Sequence, residues 1–340
     1  MKKNLVIINN EKCIKKNESY FCENIEISSI NDLLSKNYNV KYILRESVVN
    51  PIYKINNKNV ITGSNIFVFI KNVIASAIKD KSIYLIISVT PYTFISFLFL
   101  LFLRKKLFLY LRSDGEKEIS EIFGKKTSAI YKLTENLMTK FCNLLVVNNL
   151  ISNKEKYHLV NPSQIDEDWF KSRKKTERAD IKLLYVGRYK IEKGFFSLID
   201  IFKKIKLQGE KKVLLTMIGQ GNRPHDDDIN INFINPISIK KDLITQYDKH
   251  DIFILPSFTE GHPQVLIESL VRERPVIVFE EIEHVAKNYE GVFVIKRDPK
   301  VLSDMIVFID KNYDEILEKM KKNKYPTKED FLKQLNTILN

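Results

Sequence analysis

The chain has 340 residues, 44% hydrophobic and 29% charged, with a formal net charge of +13. That length accommodates two domains of ordinary size, each with its own core, and that composition describes a folded globular protein. Three cysteines, Cys13, Cys22 and Cys142, are odd in number and form no CxxC pair, which argues against a disulfide framework or a zinc site and for a reducing compartment.

The charge is unevenly placed. Residues 1–178 hold 29 Lys and Arg against 17 Asp and Glu, while the remainder holds 26 against 25. A compositional bias towards lysine would act on both halves alike, so the first half is expected to meet an anionic partner, either a membrane surface or a phosphorylated acceptor. Nucleic acid is not expected, because no reader motif or clustered basic-aromatic face accompanies the charge.

From the N-terminus, MKKNLVIINNEK contains a four-residue apolar run, too short for a signal-peptide core, and reads as a first strand. Further strands are expected near 38–44, at YLIISV (84–89), KLFLYLR (106–112) and LLVVN (144–148), with a helix near 65–79. Residues 83–103 form twenty-one almost uncharged positions, long enough to span a bilayer. Pro91 divides them into a six-residue strand and a helix of about twelve, so strand–helix–strand is preferred to a membrane span. Residues 92–106 then form either a buried core helix or a monotopic one whose Arg104, Lys105 and Lys106 rest on anionic headgroups. In YLRSDGEKE, Arg112, Asp114 and Gly115 follow a strand, where a plain Asp-Gly turn and a functional loop fit equally.

The polar run KSRKKTERAD (171–180) is the expected boundary, giving a first domain over 1–178, a second over 179–324, and a terminal helix in 325–340 that crosses back to the first. Beyond it, KLLYVG (182–187) precedes a helix from Phe195 to about Lys206 with Phe195, Leu198, Ile199, Phe202 and Ile205 on one face. Then come VLLTMIG (213–219), INFINP (231–236), a helix near 239–249, DIFILP, a helix opening at Pro263, PVIV, GVFVI (291–295) and three helical stretches. Such alternation specifies parallel βαβ units and doubly wound sheets, in which ligands bind beyond the carboxyl ends of strands.

The segment DIFILPSFTEGHPQVLIESLVRERPVIV (251–278) carries Glu260 and Glu268, eight positions apart, on a loop and the helix after it. A helix N-terminus facing that loop offers unpaired N–H groups to phosphate. Over some twenty-five positions the segment resembles the Glu-x7-Glu signature of retaining glycosyltransferases of the GT-B fold, family 4 (glycosyl transferases group 1). VGRYKIEKG is similar to the family's Gly-Arg and Lys-Gly pair, MIGQGN to its Gly-x-Gly turn, and HLVNPSQIDEDWF (158–170) to its stretch before the domain linker. The resemblance implies an α/β protein of two Rossmann-like, doubly wound parallel-sheet domains facing a cleft. It implies transfer of a sugar, with retention, from a nucleotide-diphosphate sugar to a glycan or lipid-linked acceptor in cell-surface polysaccharide synthesis.

On that resemblance Arg188 and Lys193 hold the diphosphate, Glu260 meets the sugar and Glu268 the ribose. Gly187, Gly219 and Gly221 let the nucleotide approach backbone, Pro236 and Ile237 stand near the base, and Gly261, His262 and Pro263 line the sugar and phosphate, with a capping or packing role for His262 equally open. Glu260, Arg188, Lys193 and Asp114 form the expected catalytic set, and Arg112, Asp114 and Gly115 the acceptor side. Two departures weaken the acceptor half: no histidine stands at the 112–115 turn, and LVIINNEKC lacks a glycine-rich loop. No cofactor or metal is expected, since the adjacent Asp226, Asp227 and Asp228 rarely converge on one ion and His158, His225, His250 and His284 lack ligand spacing. The expected location is cytoplasmic, peripheral on the cytoplasmic face of the membrane. The competing reading is a catalytically silent GT-B protein that binds nucleotide, membrane or a partner; a nicotinamide oxidoreductase is disfavoured because no G-x-G-x-x-G opens a βαβ unit.

Overall fold

The computed structural model describes residues 2–47, 53–79, 81–149, 156–171, 179–205, 211–223 and 228–340. Their contacts form two units, Met1–Gln164 with Lys328–Asn340, and Ile165–Thr327. In chain order the first contains β1 (Lys3–Lys16), β2 (Ser19–Cys22), α1 (Ile25–Leu34), β3 (Tyr38–Glu46), β4 (Tyr53–Ile55), β5 (Val60–Gly63) and α2 (Ile66–Lys79). It continues with β6 (Ile83–Ile87), α3 (Pro91–Phe102), β7 (Lys106–Leu111), α4 (Gly115–Phe123), α5 (Lys125–Phe141), β8 (Asn143–Val146) and β9 (His158–Leu159). The second holds α6 (Glu167–Phe170), β10 (Ile181–Val186), α7 (Phe195–Phe202), β11 (Val213–Ile218), β12 (Ile231–Ile234), α8 (Lys240–Lys249) and β13 (Ile252–Leu255). After these come α9 (Gln264–Val271), β14 (Val276–Phe279), a 3₁₀ segment (Glu280–Ala286), β15 (Val292–Ile295), α10 (Pro299–Lys311) and α11 (Tyr313–Met320). The last helix, α12 (Lys328–Leu339), belongs to the first unit.

In the first unit β1 is the hub. Leu5–Ile8 is wholly buried and pairs in parallel with β3 on one side and β6 on the other, so it reads as an unbroken apolar run. A register shift between Ile8 and Lys12 turns the strand, and Cys13–Lys16 then forms an antiparallel hairpin with β2. Asn17 and Glu18, both at positive φ (45° and 60°), make the hairpin's two-residue turn, and β4 extends it. The parallel ladder continues through β7, β8 and β9, with β5 beyond β3. Helices α2, α3 and α5 all connect strands running the same way across the sheet and pack α2 on α3 on α5; α1 packs with α12. Phe331 and Leu335 of α12 are fully buried in this core.

The division at Pro91 is decided by local chemistry. Thr90 and Thr93 form a reciprocal capping box, with Thr90 Oγ1 accepting from Thr93 N at 3.2 Å and Thr93 Oγ1 from Thr90 N at 2.8 Å, and Pro91 takes the first helical position. Arg104 ends α3 in the left-handed region (φ 51°), while Lys105 N reaches Leu100 O at 3.0 Å. The helix is 12 residues long, and no helix among the described residues is long and apolar enough to cross a membrane.

The second unit's sheet is parallel throughout, in the order β12-β11-β10-β13-β14-β15. Its contact boundary falls at Gln164/Ile165, earlier than the expected 178. The reason is packing: Ile165 and Trp169 are buried in the second core, and Arg272, 1% exposed, donates to the carbonyls of Trp169 (2.6 Å) and Lys171 (2.9 Å). Residues 172–178 of the expected linker lie outside the described residues. Helix α7 is described as ending at Phe202, α9 begins at Gln264 with Pro263 as its cap, and the strand expected over 231–236 stops at Ile234.

Arg272 also grips Asp248 with two bonds, Nε to Oδ1 at 2.8 Å and Nη2 to Oδ2 at 2.7 Å, joining α6, α8 and α9. Removing one member leaves a buried charge uncompensated. Arg272→Ala should therefore destabilise the protein by about 3–5 kcal/mol, Asp248→Ala by a similar amount, and the double variant by less than their sum, as denaturant titration will measure.

Candidate functional site

β10 and β13 are adjacent, with Leu183 opposite Ile252, yet the chain leaves them towards opposite sides of the sheet, β10 for β11 and β13 for β14. This is a topological switch point, where doubly wound sheets bind ligands beyond the carboxyl ends of their strands. The loops 187–194 and 256–263 start there.

Glycine lets these loops touch. Gly194 has φ +66°, and a Cβ on it would lie 1.8 Å from Pro256 O. Phe258 N donates to Glu192 O at 3.0 Å across the same contact. The loop after β11 is laced in similarly: a Cβ on Gly219 would lie 1.8 Å from Gly187 O, Gly187 N donates to Ile218 O (3.0 Å), and Tyr189 N to Gln220 O (2.8 Å). Gly221 takes φ +145°. Tyr189 anchors the group, its hydroxyl donating to Met217 O at 2.9 Å and its ring stacked 4.1 Å from Phe195.

Across this junction Lys193 Nζ meets Glu260 Oε1 at 2.7 Å, and Ser257 Oγ donates to the same oxygen at 2.7 Å. Their side chains are 26% and 11% exposed, so the pair is screened less than a surface one. His284 Nε2 sits 2.8 Å from Glu260 O. Tyr185 lies below, donating to Arg188 O at 2.7 Å; burial first, and then the Glu260 charge, pushes its phenol well up.

The structure thus gathers Gly187, Arg188, Lys193, Gly219, Gly221 and Glu260 at the ends of β10, β11 and β13, with Pro236 and Ile237 following β12. Arg188 and Pro236 are exposed, Ile237 and His262 half-buried, and Gly261 and Pro263 buried. Helices α7 and α9 start here without a side-chain cap and without acidic residues in their first turns. Both N-termini are favourable to an anion, and Arg188 with Lys193 adds cations. Glu268 is placed differently: it is 7% exposed inside α9, and Tyr247 of α8 donates to its Oε2 at 2.8 Å. Burial pushes its carboxyl up to about 7.

In the first unit Arg112 is held by Glu26 at 3.0 Å, and Tyr110 donates to the other oxygen of that carboxylate at 2.9 Å. Asp114 caps α4, accepting from Lys117 N at 3.0 Å, and Gly115 is crowded by Tyr131, whose hydroxyl would lie 2.0 Å from a Cβ. Among the described residues no group of His, Cys, Asp and Glu could hold a metal ion; Asp226, Asp227 and His225 lie outside them.

Three contributors escaped the sequence reading. Ser257 is one. Arg297 is another: its guanidinium lies 4.2 Å from the ring centroids of both Phe258 and Phe279 and donates to Pro256 O (2.9 Å) and Glu281 (2.7 Å). Arg223, 5.7 Å from the Phe233 ring, adds an exposed cation after β11.

A family model described as glycosyl transferases group 1 matches residues 166–327, almost the whole of the second unit. The capsular polysaccharide biosynthesis glycosyltransferase CapM of Staphylococcus aureus is 27% identical over 220 residues, which is 61% of this chain. That match spans 55% of CapM, little more than half its length. Among solved structures, HepE of Anabaena in complex with UDP superposes with a TM-score of 0.70 at 11% identity, covering 99% of each chain. Sucrose-phosphate synthase of Thermosynechococcus elongatus gives 0.68 at 14% identity over 100% of this chain and 95% of its own. WaaG, a glycosyltransferase involved in lipopolysaccharide biosynthesis, gives 0.67 at 12% over 99% of each. The fold is therefore the α/β GT-B fold with Rossmann-like parallel sheets.

Glu268 makes stability pH-dependent with a definite sign. Its folded value of about 7 lies above the ordinary 4.5, so the native state binds more protons between those values. Stability should fall as pH rises through this window and level off above it. Glu268→Gln, which keeps an acceptor for Tyr247, should abolish the decline, raising its Tm relative to the parent by roughly 3–6 °C between about pH 5 and pH 8. Arg297→Lys, lacking the planar fork that stacks between two rings, should cost about 1–3 kcal/mol in chemical denaturation.

Proposed function

We propose that this protein is a glycosyltransferase that moves a sugar, with retention, from a nucleotide-diphosphate sugar to a glycan or lipid-linked acceptor in cell-surface polysaccharide synthesis. The observation that carries the reading is the Lys193–Glu260 pair at the switch point, set between two uncapped helix N-termini. Departure of a nucleotide diphosphate leaves charge on phosphate, and fixed cations aimed at that charge lower the barrier without a general acid. Arg188, Lys193 and the ends of α7 and α9 take that role, with Gly187, Gly219 and Gly221 leaving room for phosphate and nucleotide against backbone. Pro236 and Ile237 flank the base. Glu260, with Gly261, His262 and Pro263, meets the sugar.

In this reading Tyr247 holds one oxygen of Glu268 and the other receives the ribose. The leaving diphosphate oxygen takes the acceptor proton on the face it departs from, which preserves the anomeric configuration. HepE has been solved with UDP and glucose, which supports a uridine nucleotide as the first donor to try, and the printed role of CapM supports a capsular or related polysaccharide as product. Acceptor binding, with Asp114 orienting a hydroxyl, and peripheral contact with anionic lipid on the cytoplasmic face are assigned to the basic first unit. One observation favours the binding-only alternative: Arg112 and Asp114 both already serve structural bonds, with Glu26 and the start of α4.

Lys193→Met and Glu260→Gln should each lower transfer by about 10²–10³-fold while changing Tm little. The assay needs a donor, found by thermal shift against UDP, GDP, CMP and ADP sugars, and an anomeric NMR spectrum of the product. Unchanged turnover in either variant removes the assignment; nucleotide binding without transfer over a broad acceptor panel establishes the binding-only alternative.

A further inference from the structure

Glu260 is restrained in two separate ways. Lys193 and Ser257 both bond its Oε1, each at 2.7 Å, which holds the far end of the side chain. The main chain needs a restraint of its own, because the next residue is Gly261, and glycine gives the Glu260–Gly261 peptide more rotational freedom than any other residue would. His284 supplies it, with Nε2 2.8 Å from Glu260 O. A carbonyl oxygen only accepts, so Nε2 carries the proton and donates. The peptide is trans, and in a planar trans unit a carbonyl turned towards His284 sends the Gly261 N–H the opposite way. One bond therefore sets the peptide plane beside the Glu260 Cα, and with it the direction in which the carboxylate leaves the loop.

The backbone that carries His284 is itself anchored. It belongs to the 3₁₀ segment directly after β14, in which Ile282 is fully buried in the second core and departs from helical geometry (φ −125°). Glu281 of that segment accepts from Arg297 Nε at 2.7 Å, and Arg297 Nη2 donates to Pro256 O at 2.9 Å. The segment thus reaches the loop 256–263 at two places, at Pro256 through Arg297 and at Glu260 through His284. A side chain 24 positions away, beyond α9 and β14, restrains the residue expected to meet the sugar.

We infer that His284 is a positioning residue for sugar transfer: its Nε2–H, bonded to the Glu260 carbonyl, holds Glu260 in the orientation that meets the donor sugar. The inference rests on the glycosyltransferase reading of this site and extends it to a side chain that acts only through Glu260.

The test compares, in the full chain, H284F, which fills the space without a donor, H284Q, whose side-chain amide donates from nearly the same place, and E260Q as control. H284F should lower kcat for transfer by about 10–100-fold and change the donor KM by less than about threefold, because misplacing a reacting group costs rate more than ground-state binding. H284Q should restore kcat to within about threefold of the parent. Amide hydrogen exchange reads the contact without any donor: the peptide covering 256–263 should exchange about tenfold faster in H284F, and at the parent's rate in H284Q. A residue that served stability alone would lower Tm in both variants and leave kcat in place. Should H284F fail to fold, H284A makes the same comparison.

Parent-like kcat in H284F while E260Q has lost transfer overturns the inference and leaves the glycosyltransferase reading standing, and so does parent-like exchange over 256–263. Parent-like turnover in E260Q, or none in the parent, is the failure of that reading instead, and the role in transfer falls with it.

Discussion

The candidate site depends on one close approach, between Gly194 and the carbonyl of Pro256. A side chain at 194 would place a carbon 1.8 Å from that oxygen, so the loops after β10 and β13 can meet only because 194 is glycine and accepts φ +66°. Everything above the contact follows from it. Glu192 O receives Phe258 N, Lys193 is aimed across the gap, and Glu260, sixty-seven positions along the chain, comes within 2.7 Å of its ammonium. Arg297 holds the same Pro256 carbonyl and layers Phe258 against Phe279. Two loops that would otherwise move separately are fixed at one atom, which is the preorganisation that electrostatic catalysis needs.

The two glutamates of the sequence signature occupy contrasting environments despite their regular spacing. Glu260 lies on a loop and is met by a lysine and a serine on one oxygen, a polar setting open to a ligand. Glu268 lies within a helix that packs on both sides, and its company is Tyr247 in a core of aromatic rings. Desolvation dominates there and favours the neutral acid. Spacing in sequence set which strand end and which helix each would occupy. The burial of Glu268 depends on α8, which supplies Tyr247 and shares the Asp248–Arg272 grip, while Glu260 is surrounded by Lys193, Ser257 and His284.

Much of the second unit was legible because its physics is local. Strands of a parallel sheet covered on both faces read as short apolar runs, and glycines marked the turns between them. Glu260, Lys193 and Arg188 could therefore be placed at strand ends from sequence. Arg297 could not, since Pro256, Phe258 and Phe279 lie 18 to 41 positions away and nothing near 297 advertises them. The contact boundary falls earlier in the chain than the polar run read as the linker for a similar reason: Trp169 and Arg272 are about a hundred positions apart and bond only after folding. In the first unit the hairpin extension of β1 was hidden because Cys13–Lys16 is half polar, its partner β2 is only four residues long, and β4, which pairs with β2, only three.

The charge asymmetry takes on a structural meaning once the two units are compared. In the second unit charges close on one another, Arg272 on Asp248, Arg297 on Glu281, Lys211 on Asp310 and Lys240 on Asp166 and Asp168. In the first unit, residues 66–79, 91–106 and 125–141 hold nine Lys and Arg against one carboxylate, Glu135, and exposed Phe67, Phe102 and Leu133 lie on the same three helices. The excess of lysine first visible in the sequence is thus concentrated in part on one helix layer of the first unit, where few carboxylates stand beside it. The buried side of the same helices, with Phe69, Val73, Phe97 and Leu100, joins the first unit's core and stabilises the fold.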